Sequence, residues 1–256
     1  CVQCFEREVA PLFTPLLRVG TAPSLRHNAI CLFDDVIEIG GPTAERFVVI
    51  LLPALRDGFK AKEPYLQQAS AYGVCKIAKR FPHRLVAPHT THDMLGLLLA
   101  AVQGEQKDSI LAFRLVTENC VSALGSIAFN AAPIDTQDSL IRLWLSHLPL
   151  RADEMEARVV HSELCDLIET GHPAIVGKDL AHLPSIIRIF AQLLEETEET
   201  SPDMMESIVD KVTLRRLLQI LKQMRAQMPA GSLEAAWGGL TEAQRVTVNK
   251  SMQRLV

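Results

Sequence analysis

Aromatic residues are scarce, nine Phe, two Tyr and two Trp making up 5% of a 256-residue chain. With so few to interleave among basic side chains, and with a formal net charge of -4, a nucleic-acid surface is excluded as the working reading. Long apolar runs are missing as well. The longest, "FVVILLPAL" (47–55) and "LGLLLAAV" (95–102), fall short of the roughly 20 residues that a membrane helix needs. No glycine-rich phosphate loop or nucleophile elbow occurs, and paired catalytic carboxylates in a cleft are not indicated. Six cysteines in this length are too sparse for a disulfide framework and point to a reducing compartment. Cys1 and Cys4 have the spacing of a zinc half-site, but no second pair or nearby histidine completes it, so no metal is expected.

What the chain has is apolar bulk. It is 48% hydrophobic with a mean hydropathy of +0.15, too apolar for a disordered segment and enough for a large core. It opens on Cys1 rather than Met, with nothing that reads as a signal peptide, and is taken as a piece of something longer.

A period runs through it. Cys31, Cys75, Cys120 and Cys165 are separated by 44, 45 and 45 residues, and Pro42, Pro82, Pro133 and Pro173 by 40, 51 and 40. A repeat of ~40–47 residues is the signature of paired-helix HEAT or armadillo arrays. "RHNAICLFDDVIEIGGP" (26–42), "QQASAYGVCKIAKRFP" (67–82), "TENCVSALGSIAFNAAP" (117–133) and "VHSELCDLIETGHP" (160–173) each place small and aliphatic residues at helical spacing before a Pro-bearing turn. They read as second helices of successive hairpins. "TAERFVVILLPALRDGF" (43–59), "HDMLGLLLAAVQG" (92–104) and "SLIRLWLSHLPL" (139–150) read as the bulkier first helices. The expected fold is all-α, a single right-handed HEAT/armadillo-type superhelical solenoid over 1–256, with five hairpins over approximately 5–39, 43–80, 88–130, 135–170 and 179–227. "MPAGS" (228–232) reads as an interruption before a C-terminal capping helix over 240–255, with Thr241 as its cap.

Several of these stretches carry a family resemblance. "CLFDDVIE", "QQASAYGV", "TENCVSALGSI", "LWLSHLPLRADEMEA" and "CDLIETGHP" closely resemble, in order and spacing, the C-terminal HEAT repeats of importin-beta type karyopherins, nearest to the importin-5 (karyopherin beta-3) subgroup; "WGGLTEAQR" (237–245) is similar to that subgroup's chain end. The resemblance implies a nuclear import receptor that shuttles between cytoplasm and nucleus, carries protein cargo and releases it to Ran-GTP. It implies Ran contacts mainly through N-terminal repeats that this chain lacks, and nucleoporin phenylalanines entering grooves between adjacent first helices. No cofactor, membrane or direct nucleic-acid partner is implied.

Two acidic clusters stand out, Asp34, Asp35 and Glu38 in "FDDVIE" (33–38) and Asp166 and Glu169 in "CDLIE" (165–169). Like charges three or four residues apart on a helix repel. One reading makes them a concave acidic stripe that steers basic cargo segments. The other makes them solvated, or paired with Lys or Arg of the next repeat. The run "LLEETEETSPDMMES" (193–207) reads as a solvated loop, and "KVTLRRLLQILKQMR" (211–225) as an amphipathic helix.

Enzyme chemistry finds no support. Iron-bearing HEAT enzymes hold their metal with His-Glu dipeptides, and none occurs; His161 and Glu163 are offset by one residue, about 200° apart on a helix. His89 and His92 lack a third ligand and read as helix entry; Trp144 reads as core. A non-enzymatic receptor is therefore the reading, with a rigid HEAT scaffold subunit of a phosphatase or other assembly as the alternative.

Overall fold

The computed structural model describes residues 2–86, 88–104, 110–199, 208–227 and 230–253. Among these every regular element is helical. The chain divides into two compact units, Cys1–Gln137 and Asp138–Val256.

The first unit begins with short helical turns: α1 (Val2–Cys4), a π-helical stretch Phe5–Val9, α2 (Ala10–Phe13) and a 3-10 turn Thr14–Leu17. Regular helices follow as α3 (Pro23–Ile39), α4 (Val48–Phe59), α5 (Pro64–Arg80), α6 (Pro88–Gln103) and α7 (Leu111–Asn130). α3 and α5 each open with proline, whose fixed φ suits a first turn where its missing N–H is no loss. Ala29, Ile30, Phe33 and Ile37 make α3's buried stripe at helical spacing. The helix stops at Gly40, and Gly41 takes φ +65, a left-handed conformation that a side chain disfavours, so the chain reverses into the 3-10 stretch Gly41–Phe47. The first helix expected from residue 43 therefore becomes regular only at Val48.

Within this unit α3, α5 and α7 pack side by side, while α4 and α6 pack next to each other and against α5 and α7 respectively. This is the two-layer pairing of a HEAT or armadillo array, in which each hairpin buries its apolar face on its neighbours. Phe33, fully buried, is edge-on to Phe5 and Phe47 at centroid distances of 5.4 and 5.8 Å and joins the N-terminal turns to this core.

The second unit contains most of α8 (Ile134–His147), then α9 (Glu154–Glu169), α10 (Leu183–Glu199), α11 (Lys211–Gln227), α12 (Ala230–Gly238) and α13 (Glu242–Gln253). α9 lies beside α11, and α10 carries α12 and α13. Asp153 caps α9 by accepting from Glu156 N at 3.1 Å. Thr241 caps α13 in a reciprocal box: its hydroxyl accepts from Gln244 N at 3.2 Å, and its own N–H donates to Gln244 Oε1 at 3.1 Å. α12 was not anticipated; it occupies most of the stretch read as an interruption.

The acidic run after Leu193 corrects the sequence reading in part. Residues 193–199 continue α10 instead of leaving it, because Leu193 and Leu194 keep the apolar stripe and the run's first carboxylates find partners. Glu196 accepts from Arg151 at 2.6 Å and Glu195 from Gln244 at 3.1 Å. Residues 200–207 of that run, like Cys1 of the Cys1/Cys4 pair, lie outside the described residues.

Candidate functional site

On α3, Asp34 and Glu38 are four residues apart and lie about 40° from each other around the helix, while Asp35 is turned about 100° from Asp34. Asp35 faces solvent, Glu38 is half-buried and Asp34 is fully buried. Glu38 is tied to α5 twice: Lys76 Nζ lies 2.6 Å from Oε1, and the Tyr72 hydroxyl donates to Oε2 at 2.9 Å. Lys76 also stands 4.4 Å from the centroid of the Tyr72 ring, a cation–π contact that covers its ammonium. Burial works against the charge on both members, yet the hydrogen bonds from Lys76 and Tyr72 hold Glu38 below the ordinary carboxylate range, and those with Glu38 and Tyr72 hold Lys76 above the ordinary lysine range. Burial pushes the Tyr72 phenol up to about 12. Asp34 has no such tie: burial first, then the charges of Asp35 and Glu38 against the opposing Lys76, push its carboxyl well above the usual range.

Upstream on α3, Cys31 Sγ lies 3.6 Å from His27 Nε2, and the His27 ring is edge-on to Tyr65 of α5. Burial and the neighbouring Asp34 and Asp35 push the Cys31 thiol up to about 11, which leaves it a poor nucleophile. No group of three or more His, Cys, Asp or Glu among the described residues is arranged to hold a metal ion.

In the second unit, Asp166 and Glu169 of α9 meet Arg216 of α11. Arg216 Nη2 lies 2.5 Å from Asp166 Oδ1 and 2.6 Å from Glu169 Oε2, and Nη1 donates to Ser162 Oγ at 3.1 Å. Hydrogen bonds to Glu169 and then Asp166 hold the guanidinium still more firmly charged than usual. Asp166 keeps 60% of its side chain exposed and Glu169 38%, so the clamp leaves carboxylate oxygen facing solvent. The two acidic clusters lie in different units.

The residues that sequence reasoning did not single out are the partners Lys76, Tyr72 and Arg216. Each belongs to the helix one repeat after its acid, an offset of 38, 34 and 47–50 residues. Other cross-links keep a similar offset: Arg46 to Glu6 at 40, Arg84 to Glu45 at 39, Arg151 to Glu196 at 45. An opposite charge about one period downstream was the available signal.

Two residues weighed as chemical groups are structural. His161 is 1% exposed, with Nδ1 2.9 Å from Ile208 O and Nε2 3.2 Å from Leu150 N. A backbone carbonyl on one nitrogen and a backbone N–H on the other fix the neutral tautomer, protonated at Nδ1. Burial accordingly lowers its pKa to about 4. Trp144 is 2% exposed, within the core.

A groove of about 390 Å³ opens between α4 and α6. Val49, Leu52 and Pro53 of α4 and Met94 of α6 give it an apolar floor, and Arg56, Arg84 and Asp93 share its lining. Val49 is 64% exposed there.

No family model matches the chain. Among curated proteins it is similar to a probable importin-5 homolog of Dictyostelium discoideum, 28% identical over 243 residues. This similarity supports an importin-beta, HEAT-repeat assignment. The aligned region covers 90% of the chain but 22% of that relative, so the chain spans about a fifth of the protein it matches. Among solved structures, a designed armadillo repeat protein overlays with a TM-score of 0.46 at 11% identity, covering 96% of this chain and 99% of that one.

Proposed function

We propose that the chain is the C-terminal portion of a nuclear import receptor, which binds protein cargo and nucleoporins for Ran-GTP-dependent passage through nuclear pores. The observation that carries this reading is the similarity to an importin-5 homolog across 243 residues, which runs through both units and not through one repeat alone. The paired helices supply the kind of surface that works by contact, and no helix among the described residues is long and apolar enough to cross a membrane. Ran-GTP is engaged mainly by repeats outside this stretch, and the receptor shuttles between cytoplasm and nucleus.

Two kinds of surface serve the binding. The α4–α6 groove takes a nucleoporin phenylalanine: its apolar floor accepts the ring, and the charged lining leaves the flanking peptide in water. Asp35 on α3 and the Asp166–Glu169 pair on α9, each by itself, present carboxylate oxygen to basic cargo segments and add on-rate and orientation more than affinity. Asp34 contributes nothing to such a contact, since it is 1% exposed.

Isothermal titration with a phenylalanine–glycine repeat polypeptide tests the reading. The chain binds it, Val49→Asp abolishes binding without lowering the unfolding midpoint, and Asp35→Lys with Asp166→Lys leaves it intact while weakening capture of basic segments. If the chain ignores the polypeptide and instead co-purifies with one constant stoichiometric partner, the rigid-scaffold alternative replaces it.

A further inference from the structure

Asp34 lies at the junction of α3, α4 and α5, 1% exposed, and neither carboxyl oxygen has a hydrogen-bond partner among the described residues. Its Oδ1 rests against the backbone of Gly73 on α5, where any side chain would collide with it and with Leu55 of α4. The absent Cβ is what lets α5 approach an acid so closely. A buried carboxylate with no donor is among the most costly arrangements in a protein interior.

The groups that face it are few. From its own helix come Cys31, Asp35 and Glu38; from α5 comes Lys76, with the Tyr72 hydroxyl beyond it on Glu38; from α4 comes Leu55, which is apolar. Lys76 is the cation that bears on Asp34, and it is already committed, 2.6 Å from Glu38 Oε1 and stacked over Tyr72. Two carboxyls therefore share one ammonium. Glu38 holds it in this structure, an arrangement that is comfortable only while Asp34 carries no charge.

We propose that the α3–α5 junction is a proton-gated joint: it keeps the observed packing while Asp34 is a neutral carboxylic acid, and loss of that proton to solvent, which sets a bare carboxylate against the Gly73 backbone and Leu55 and draws Lys76 off the Tyr72-held Glu38, opens the contact between the two helices. The joint links consecutive second helices, so the gate acts on the geometry of one repeat against the next. It goes beyond the receptor reading and does not depend on it.

The sign follows from where the proton sits. An acid that keeps its proton in the packed state and loses it more easily when solvated contributes stability that is fully present at low pH and is lost as pH rises through the ordinary carboxylate range toward the folded-state value. Over that window the opening equilibrium grows about tenfold per pH unit.

Hydrogen exchange of the 256-residue chain, corrected for intrinsic rates, reads this directly. Between about pH 4 and about pH 9, a range that brackets solvated and deeply buried carboxyls, protection in α3 and α5 falls steeply in the wild type. It falls less in Asp34→Asn, where an amide of the same shape stands in for the neutral acid. Infrared spectra of the wild type near neutral pH show a protonated carboxyl band that Asp34→Asn removes. Glu38→Gln, which frees Lys76, moves the transition to lower pH. Equal slopes in wild type and Asp34→Asn, or no protonated carboxyl band at neutral pH in the wild type, overturn the gate. An unmoved transition in Glu38→Gln overturns the exchange of Lys76 between carboxyls, and this arm stands whether or not Asp34→Asn folds.

Discussion

Arg216 on α11 reaches back 47 residues to Glu169 on α9, its Nη2 2.6 Å from Oε2, and touches Asp166 with the same nitrogen. One guanidinium thus answers the repulsion that two acids one turn apart create on α9.

Replacing Arg216 with Ala leaves that repulsion unanswered. The acids are largely exposed, so water compensates for most of the loss and the cost is about 1 kcal/mol. A urea midpoint in low salt shows it, and added salt narrows the gap between variant and wild type as screening weakens both the attraction and the repulsion. A cost unchanged by salt would mean that Arg216 acts through packing instead.

His161 gives the second unit an acid limit. Its pKa of about 4 lies below the ordinary histidine value, so its contribution to stability is complete above about pH 6.5 and is lost as pH falls toward 4. The loss amounts to about 3 kcal/mol, from the size of that shift. Denaturant midpoints across this range follow it. His161→Leu flattens that part of the profile but starts lower, because Leu150 N–H and Ile208 C=O are left unpaired at about 1–3 kcal/mol each.

Helix positions were legible because the repeat writes the same message several times. The segments read at 26–42, 67–82, 117–133 and 160–173 overlap α3, α5, α7 and α9, each marked by small residues and a closing turn. α12 was hidden because glycine and serine dominate its start, and packing on α10 decides its state. Within "FDDVIE" the fates of the two aspartates were present in the pattern. Asp34 follows Phe33 by one position and precedes Ile37 by three, inside the apolar stripe, while Asp35 is turned a further 100° toward water. What the pattern could not supply was the partner. Lys76 and Arg216 meet their acids only once the repeat offset between neighbouring helices is known.

Gly73→Ala tests the close approach of α5 to Asp34 and Leu55. Despite alanine's better helix propensity, the added methyl has no room, and overpacking of this kind costs about 1–3 kcal/mol. A lower thermal midpoint is the expected result; Gly96→Ala, whose Cβ would meet open space, is the control and holds or raises it.

Phe33→Ala removes the ring that Phe5 and Phe47 both meet edge-on. A fully buried phenylalanine of this kind is worth about 3–5 kcal/mol, and hydrogen exchange in Phe5–Val9 rises with it if the N-terminal turns are held by this cluster.

The charges that bridge neighbouring helices make each hairpin specific to its successor. Glu45 meets His83 and Arg84, Glu38 meets Lys76, and Asp166 with Glu169 meets Arg216, each acid answered by a base on a particular neighbouring helix. Hairpins of similar length and apolar face are therefore not interchangeable parts. Transposing two of them would part these acids from the bases that answer them, so the matching of one surface to the next favours a single order along the chain.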